Sequence, residues 1–177
     1  MFNKKVTLKK KGSIKGYFIV LVLALFIVSM VNKYIFFSVE VQSSSMYPTI
    51  KIGDKINTFI IHDKSSLIRG SIVVFYSKEL QETLIKRLVG LPGEKVIVSP
   101  DGSVFINGNK LSEKYVSSRS TKPKEFQVPN NSYLFLGDNR ADSYDSRYWN
   151  NPYIDYSDIL GKASYRYYPF NRIGAVK

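Results

Sequence analysis

The hydrophobic pattern of the chain changes character once, near residue 37. From Tyr17 to Val31 it reads YFIVLVLALFIVSMV without a charge. Carried through Asn32 and Lys33 to Phe37, the stretch is roughly 20 residues long, the length that spans a hydrocarbon core. It is apolar on every face, whereas a helix packed on a soluble core carries one apolar stripe. Tyr17 and Tyr34 stand at its ends as interfacial aromatics, and Lys33 is placed to snorkel. Beyond it the pattern is one of short strands. SVEVQ (38–42) alternates, and SIVVFY (71–76), ETLIKRLVG (82–90), SYLFLG (132–137) and KASYRYYPF (162–170) are β-rich runs. EKVIVSPDGSVFINGNKL (94–111) predicts two strands around an Asp101-Gly102 turn, then a second turn at Asn107-Gly108. The polar stretch EKYVSSRSTKPKE (113–125) predicts a mobile loop. The expected architecture is a mainly β domain over 38–177 behind one N-terminal transmembrane helix over 17–37.

Charge adds an orientation. Seven of the 26 Lys and Arg residues (Lys4, Lys5, Lys9, Lys10, Lys11, Lys15 and Lys33) lie at or before the end of the apolar run, and no acid precedes Glu40. The remaining 19 basic residues face 14 acidic ones. Much of the excess lies in an N-terminal tail, which suits a membrane boundary better than a nucleic-acid surface on the mildly basic remainder. The positive-inside rule predicts a cytoplasmic tail over 1–16 and an extracellular domain, single-pass in the plasma membrane. A cleaved signal peptide is the competing reading. The run is long for one, and bulky Tyr34, Ile35, Phe36 and Phe37 occupy the place of a small-residue cleavage site.

The chain has no cysteine, which excludes disulfides, a thiolate nucleophile and Cys-based metal sites. Its single histidine, His62, counts against a zinc enzyme and a Ser-His-Asp triad. Three segments carry other chemistry. Ser43-Ser44-Ser45-Met46-Tyr47-Pro48-Thr49 either presents a hydroxyl at a bend or is a plain serine-rich turn. Lys86 lies within an apolar strand, on the face of Leu84 and Leu88. It is either a desolvated lysine with a lowered pKa, able to act as a base, or a snorkelling edge residue. Gly137-Asp138-Asn139-Arg140-Ala141-Asp142-Ser143-Tyr144-Asp145-Ser146-Arg147 is a buried polar network, a solvated loop or an acidic metal loop. Its spacing does not match an EF-hand.

In this order behind an anchor, these segments closely resemble type I signal peptidases, the bacterial leader peptidases. The motifs are S-M-x-P-T at Ser45–Thr49, R-G-x-I-V-V-F at Arg69–Phe75, K-R-x-x-G-x-P-G-[DE] at Lys86–Glu94 and G-D-N-R-x-x-S-x-D-S-R at Gly137–Arg147. The resemblance implies a signal-peptidase-like (LexA-like) antiparallel β catalytic domain of the Gram-positive kind, with a small non-catalytic insertion at about 97–125. It implies a serine endopeptidase that removes signal peptides from exported preproteins, with Ser45 as nucleophile and Lys86 as general base. Ser43 matches an oxyanion-hole hydroxyl and Ser143 the serine that orients the lysine amine. Asp145 and Arg147 match a supporting ion pair, Met46 a residue packing beside the nucleophile, and Arg87 a structural arginine. No metal or cofactor is implied. Partners are signal-peptide-bearing preproteins, pilins among them, and the lipid bilayer. The chain departs from the pattern at two places. Ala141-Asp142 replaces a common Asp-Asn, and Ser44 stands where relatives have Gly, Asp or Glu.

Other readings are a pilus-dedicated signal peptidase or an accessory chaperone for pilin subunits, a self-cleaving repressor-like protease, and a peptide-binding β domain without activity. The short distance in sequence from Phe37 to Ser45 predicts a site close to the membrane. It also predicts an apolar, membrane-contacting patch around Tyr34–Val39 and adjoining loops.

Overall fold

The structure, a computed structural model, describes residues 13–118 and 122–177. Most of the basic tail expected over 1–16 lies outside the described residues. The chain divides into two units, one ending at Ile35 and the other beginning at Phe36.

In the first unit, α1 (Ile14–Tyr34) is about 32 Å long at 1.5 Å per residue. Its stretch Ile14–Val31 is long and apolar enough to cross a membrane, and none of it is buried. The helix ends three residues before the expected boundary. Phe36 and Phe37 belong instead to a strand, where they pair with Phe59 and Thr58.

The second unit is built from antiparallel strands. These are β1 (Phe36–Glu40), β2 (Lys55–Ile60), β3 (Ile72–Ser77), β4 (Glu82–Gly90), β5 (Lys95–Val98), β6 (Val104–Ile106) and β7 (Asn109–Lys110). They continue with β8 (Lys124–Gln127), β9 (Ser132–Leu136), β10 (Tyr153–Asp155), β11 (Ile159–Tyr168) and β12 (Gly174–Ala175). The larger sheet runs β1-β2-β11-β3-β4-β9-β10, with β12 on β11, and the smaller runs β7-β6-β5-β8. The mainly β, antiparallel expectation is met. The β5–β8 sheet starts at Lys95 and closes at Gln127, slightly wider than 97–125, because Lys95 pairs with Gln127 at its mouth.

The two sheets join through one apolar cluster. Val96, Val98, Val104, Ile106 and Phe126 from the small sheet pack on Val89, Leu134 and Leu136 of the large one. Gly90 makes this approach possible: a Cβ there would lie 2.8 Å from the Leu134 Cβ and 2.9 Å from the Val96 Cγ2. A second cluster, with Phe75 stacked on Phe135 at 4.4 Å, fills the space under β3, β4 and β9. A third gathers Val41, Met46, Ile50, Ile56, Ile72 and Ala163, and anchors the turn that follows β1.

Candidate active site

Ser45 sits in that turn. The Tyr47 N–H donates to the Ser44 carbonyl at 2.9 Å and the Ile50 N–H to the Met46 carbonyl at 2.9 Å, coiling the segment into consecutive turns. Met46 and Ile50 are completely buried, so the backbone on the C-terminal side of Ser45 is fixed by core packing. Met46, next to the serine in sequence, packs into the third core cluster.

Lys86 comes from β4, which pairs with β3 from Glu82 to Arg87 but with β9 only from Arg87 onward. Lys86 is the last residue before the second ladder begins, at the point where one edge of β4 opens. Its side chain is 3% exposed. The Lys86 Nζ lies 2.5 Å from the Ser45 Oγ, and the Ser43 Oγ lies 3.2 Å from the same oxygen. Burial pushes the Lys86 amine down from 10.5 to about 8, against the charges of Asp145 and Glu82, which raise it. The shift corresponds to about 3 kcal/mol of penalty on the ammonium form.

The segment Gly137–Arg147 holds this pair from one side. The Asn139 N–H donates to the Ser45 carbonyl at 3.0 Å, and the Asn139 amide donates to the Ser44 carbonyl at 3.3 Å. Arg87 grips Asp138 through two bonds of 2.7 and 2.6 Å, donates to the Gly70 carbonyl at 2.6 Å, and lies 3.9 Å from the Tyr115 ring. Asp138 also accepts from the Thr49 hydroxyl at 2.6 Å. Through Asp138, Arg87 thus links β4 to Thr49 at the C-terminal end of the serine turn. Asp145 and Arg147, both buried, pair through bonds of 2.8 and 2.9 Å, while Asp145 accepts the Gly137 N–H at 2.9 Å.

Gly137 is held as tightly as any residue here. A Cβ on it would stand 2.5 Å from the Ser45 carbonyl oxygen and 2.2 Å from the Ser143 Oγ. Because the Ser45 oxygen belongs to the backbone, Gly137→Ala must displace the serine turn. We expect it to lower kcat at least tenfold, measured on a precursor peptide at a temperature well below the unfolding midpoint.

Ser143 lines the same cleft as Ser45 and Lys86. It is buried, yet its hydroxyl has no hydrogen-bond partner among the described residues and makes no bond to Lys86. The two departures from the family pattern prove to be partners: the Ser44 Oγ donates to the Asp142 carboxylate at 2.5 Å.

The segment expected to be a mobile loop is instead attached to the site over residues 113–118. Glu113 accepts from both terminal nitrogens of Arg140, one at 3.2 Å, and from the Tyr115 hydroxyl at 3.0 Å. Ser117 donates to the Tyr47 carbonyl at 3.1 Å, and Ser118 donates to the Asn139 side chain at 2.6 Å. Its polar side chains satisfy partners far along the chain, so local composition misjudged them. Arg69 pairs with Glu94 and so closes the turn after β4.

Ser45 and Lys86 open into a cleft of ≈740 Å³ between β1 and its extension (Val39–Ser45), the open edge of β4 and residues 141–144. Among the described residues, no group of three or more His, Asp or Glu side chains is gathered that could hold a metal ion.

Comparison with known proteins finds relatives over most of the chain. Residues 14–168 match the model of the family described as signal peptidase, peptidase S26. The signal peptidase I of Leptolyngbya laminosa is 40% identical over 148 residues, covering 76% of this chain and 70% of that protein. The signal peptidase IB of Staphylococcus aureus (strain COL) is 32% identical over 181 residues, covering 91% of this chain and 93% of that protein. A solved signal peptidase I from Enterococcus faecalis V583 aligns with a TM-score of 0.47 and 32% identity over 54% of this chain and 95% of that one.

Proposed function

The chain belongs to the signal peptidase family, peptidase S26, a family of serine peptidases, and from that premise we propose that it removes N-terminal signal peptides from exported preproteins through a Ser45–Lys86 dyad. The observation that carries the reading is the 2.5 Å separation of a buried, pKa-lowered Lys86 amine from the Ser45 hydroxyl. In its neutral form Lys86 accepts the Ser45 proton as Oγ attacks the scissile carbonyl. The developing oxyanion is met by the Ser45 N–H and the Ser43 hydroxyl. Lys86 then gives its proton to the leaving amine, the acyl group stays on Ser45, and a water deprotonated by Lys86 releases it. Asp145, Arg147, Arg87 and Met46 hold the two reacting residues in register, and the Ser143 side chain lines the same cleft as the Lys86 amine.

Substrate approach follows from the strand edges. Among the described residues, β1 pairs with β2 alone, and residues 82–86 of β4 have no ladder on their second side. An extended peptide entering the cleft meets open backbone on both walls, the arrangement that strand addition uses. The aliphatic side chains of Val39, Val74 and Ile85 suit small apolar residues before the cut.

We place the chain in the plasma membrane, with α1 crossing it, the lysine-rich tail in the cytoplasm and the catalytic domain over 38–177 outside. Exposed Phe59, Tyr168, Phe170 and Ile173 on and beside β2 and β11 support contact of the catalytic unit with the bilayer surface. The intact dyad favours catalysis over an accessory chaperone for pilins.

Ser45→Ala and Lys86→Ala test the reading. Each should abolish cleavage of a precursor with small residues at the first and third positions before the cut, and near-full activity of either variant removes that residue from the mechanism. The pH profile tests it independently. With a lysine pKa of about 8, the neutral fraction is about one tenth at pH 7 and about nine tenths at pH 9. The rate of cleavage should therefore rise about eightfold to tenfold between those values, and a flat profile would exclude Lys86 as the base.

A further inference from the structure

Among the described residues, the catalytic cleft has one exposed aromatic side chain that the mechanism does not use. Tyr144 lines the cleft together with Ser45 and Lys86 and is 55% exposed, whereas the other large apolar residues along the walls are buried or half-buried aliphatics and Tyr148. A ring left in water at such a position forgoes the stabilisation that burial would give it. It is nonetheless held in place. Its neighbours Ser143 and Asp145 are buried, and Arg147 donates to the Ser143 carbonyl at 3.3 Å. The ring stacks on Tyr148, with centroids 5.7 Å apart and planes 30° apart. Tyr148 is itself braced by the Lys122 ammonium at 4.1 Å and the Arg147 guanidinium at 5.4 Å from its ring.

We infer that Tyr144 is a specificity-determining residue that receives an aromatic side chain of the substrate, from a position near the scissile bond other than those that must be small. This rests on the proteolytic function proposed above and names a substrate preference for that site. A tyrosine loses little rotamer freedom on contact, and one already stacked loses less, so its face is a preformed platform. The second ring face supplies what the aliphatic walls cannot, an offset or edge-on partner for another ring. A preference of about threefold to tenfold in favour of a ring over a methyl group is the size such pairs produce.

The test uses the full chain in detergent micelles or lipid vesicles and a set of precursor peptides. The set differs only in carrying phenylalanine or alanine at each position from the fifth before to the third after the cut, leaving the small positions untouched. Wild type should cleave one phenylalanine peptide with a kcat/KM about threefold to tenfold above its alanine counterpart, the difference lying mainly in KM. In Tyr144→Ala that ratio should fall to about one, and in Tyr144→Phe it should persist. A preference that survives in Tyr144→Ala, or no preference at any position, overturns the inference while cleavage of the alanine reference peptide upholds the function. Failure of wild type to cleave any peptide overturns both.

Discussion

Lys86→Met is expected to abolish signal-peptide cleavage while making the folded protein more stable at pH 7. The loss of activity follows from removing the only group among the described residues within hydrogen-bond reach of the Ser45 hydroxyl that can take its proton, the Ser43 hydroxyl being no base. Deleting the base of a serine protease costs on the order of 10⁴-fold or more in kcat. The gain in stability follows from burial. The folded-state pKa of about 8 lies below the 10.5 of the unfolded chain, so at pH 7 both states carry the proton and the fold bears the whole penalty. Methionine fills similar volume without charge, and the lost bond to Ser45 returns part of the gain, leaving about 2 kcal/mol. As pH rises from about 8 to about 10.5 the native lysine sheds its proton before the unfolded one does, and the wild type recovers the difference. Urea unfolding of both proteins at pH 7 and pH 10.5 measures this. A variant that is less stable at pH 7 would mean that Lys86 serves the fold and is not a strained catalytic group.

Asp145→Asn should have the largest effect on the fold itself. It leaves the Arg147 guanidinium, 1% exposed, without its carboxylate, and breaking a buried pair from one side costs about 3–5 kcal/mol. The Asn side chain still accepts the Gly137 N–H, so the local shape is kept. One further consequence separates this variant from a general loss of stability. Asp145 is the first of the charges that raise the Lys86 pKa against burial. Without it the amine titrates lower, and the rising limb of the pH profile moves to lower pH in whatever fraction stays folded. An unmoved limb, with stability lost as expected, would mean that the Asp145 charge does not reach the amine.

How much of this was legible in the sequence depends on how local each feature is. β4 was read residue for residue from ETLIKRLVG, because its pattern of apolar positions between turns needs no distant partner. β2 (KINTFI) was missed. Its inward positions include Thr58, a polar residue that is fully buried, so the run does not look apolar enough. β10 and β12 are two or three residues long and exist only through pairing with β9 and β11. The end of the membrane run was misplaced because Phe36 and Phe37 are as apolar as the helix before them, and only their pairing with β2 identifies them as strand.

In the site, composition and periodicity marked Lys86 as awkwardly placed but left Ser45 a turn serine. What joins them is the closure of the β1 turn against β4, forty-one residues away in sequence. Glu113 and Tyr115 looked like loop residues for the same reason: Arg140 and Arg87, which they meet, lie 27 and 28 positions distant.

The most direct measurement is where an acylating inhibitor goes. The full chain would be incubated with a β-lactam-type acylating compound at pH 7 and pH 9, and the adduct mapped by peptide mass spectrometry. A nucleophile activated by Lys86 puts one acyl group on Ser45, forming several-fold faster at pH 9, and much more slowly in Lys86→Ala at either pH. An adduct on Ser43 or Ser143 instead, or a Ser45 adduct forming at the same rate in Lys86→Ala, would contradict the dyad.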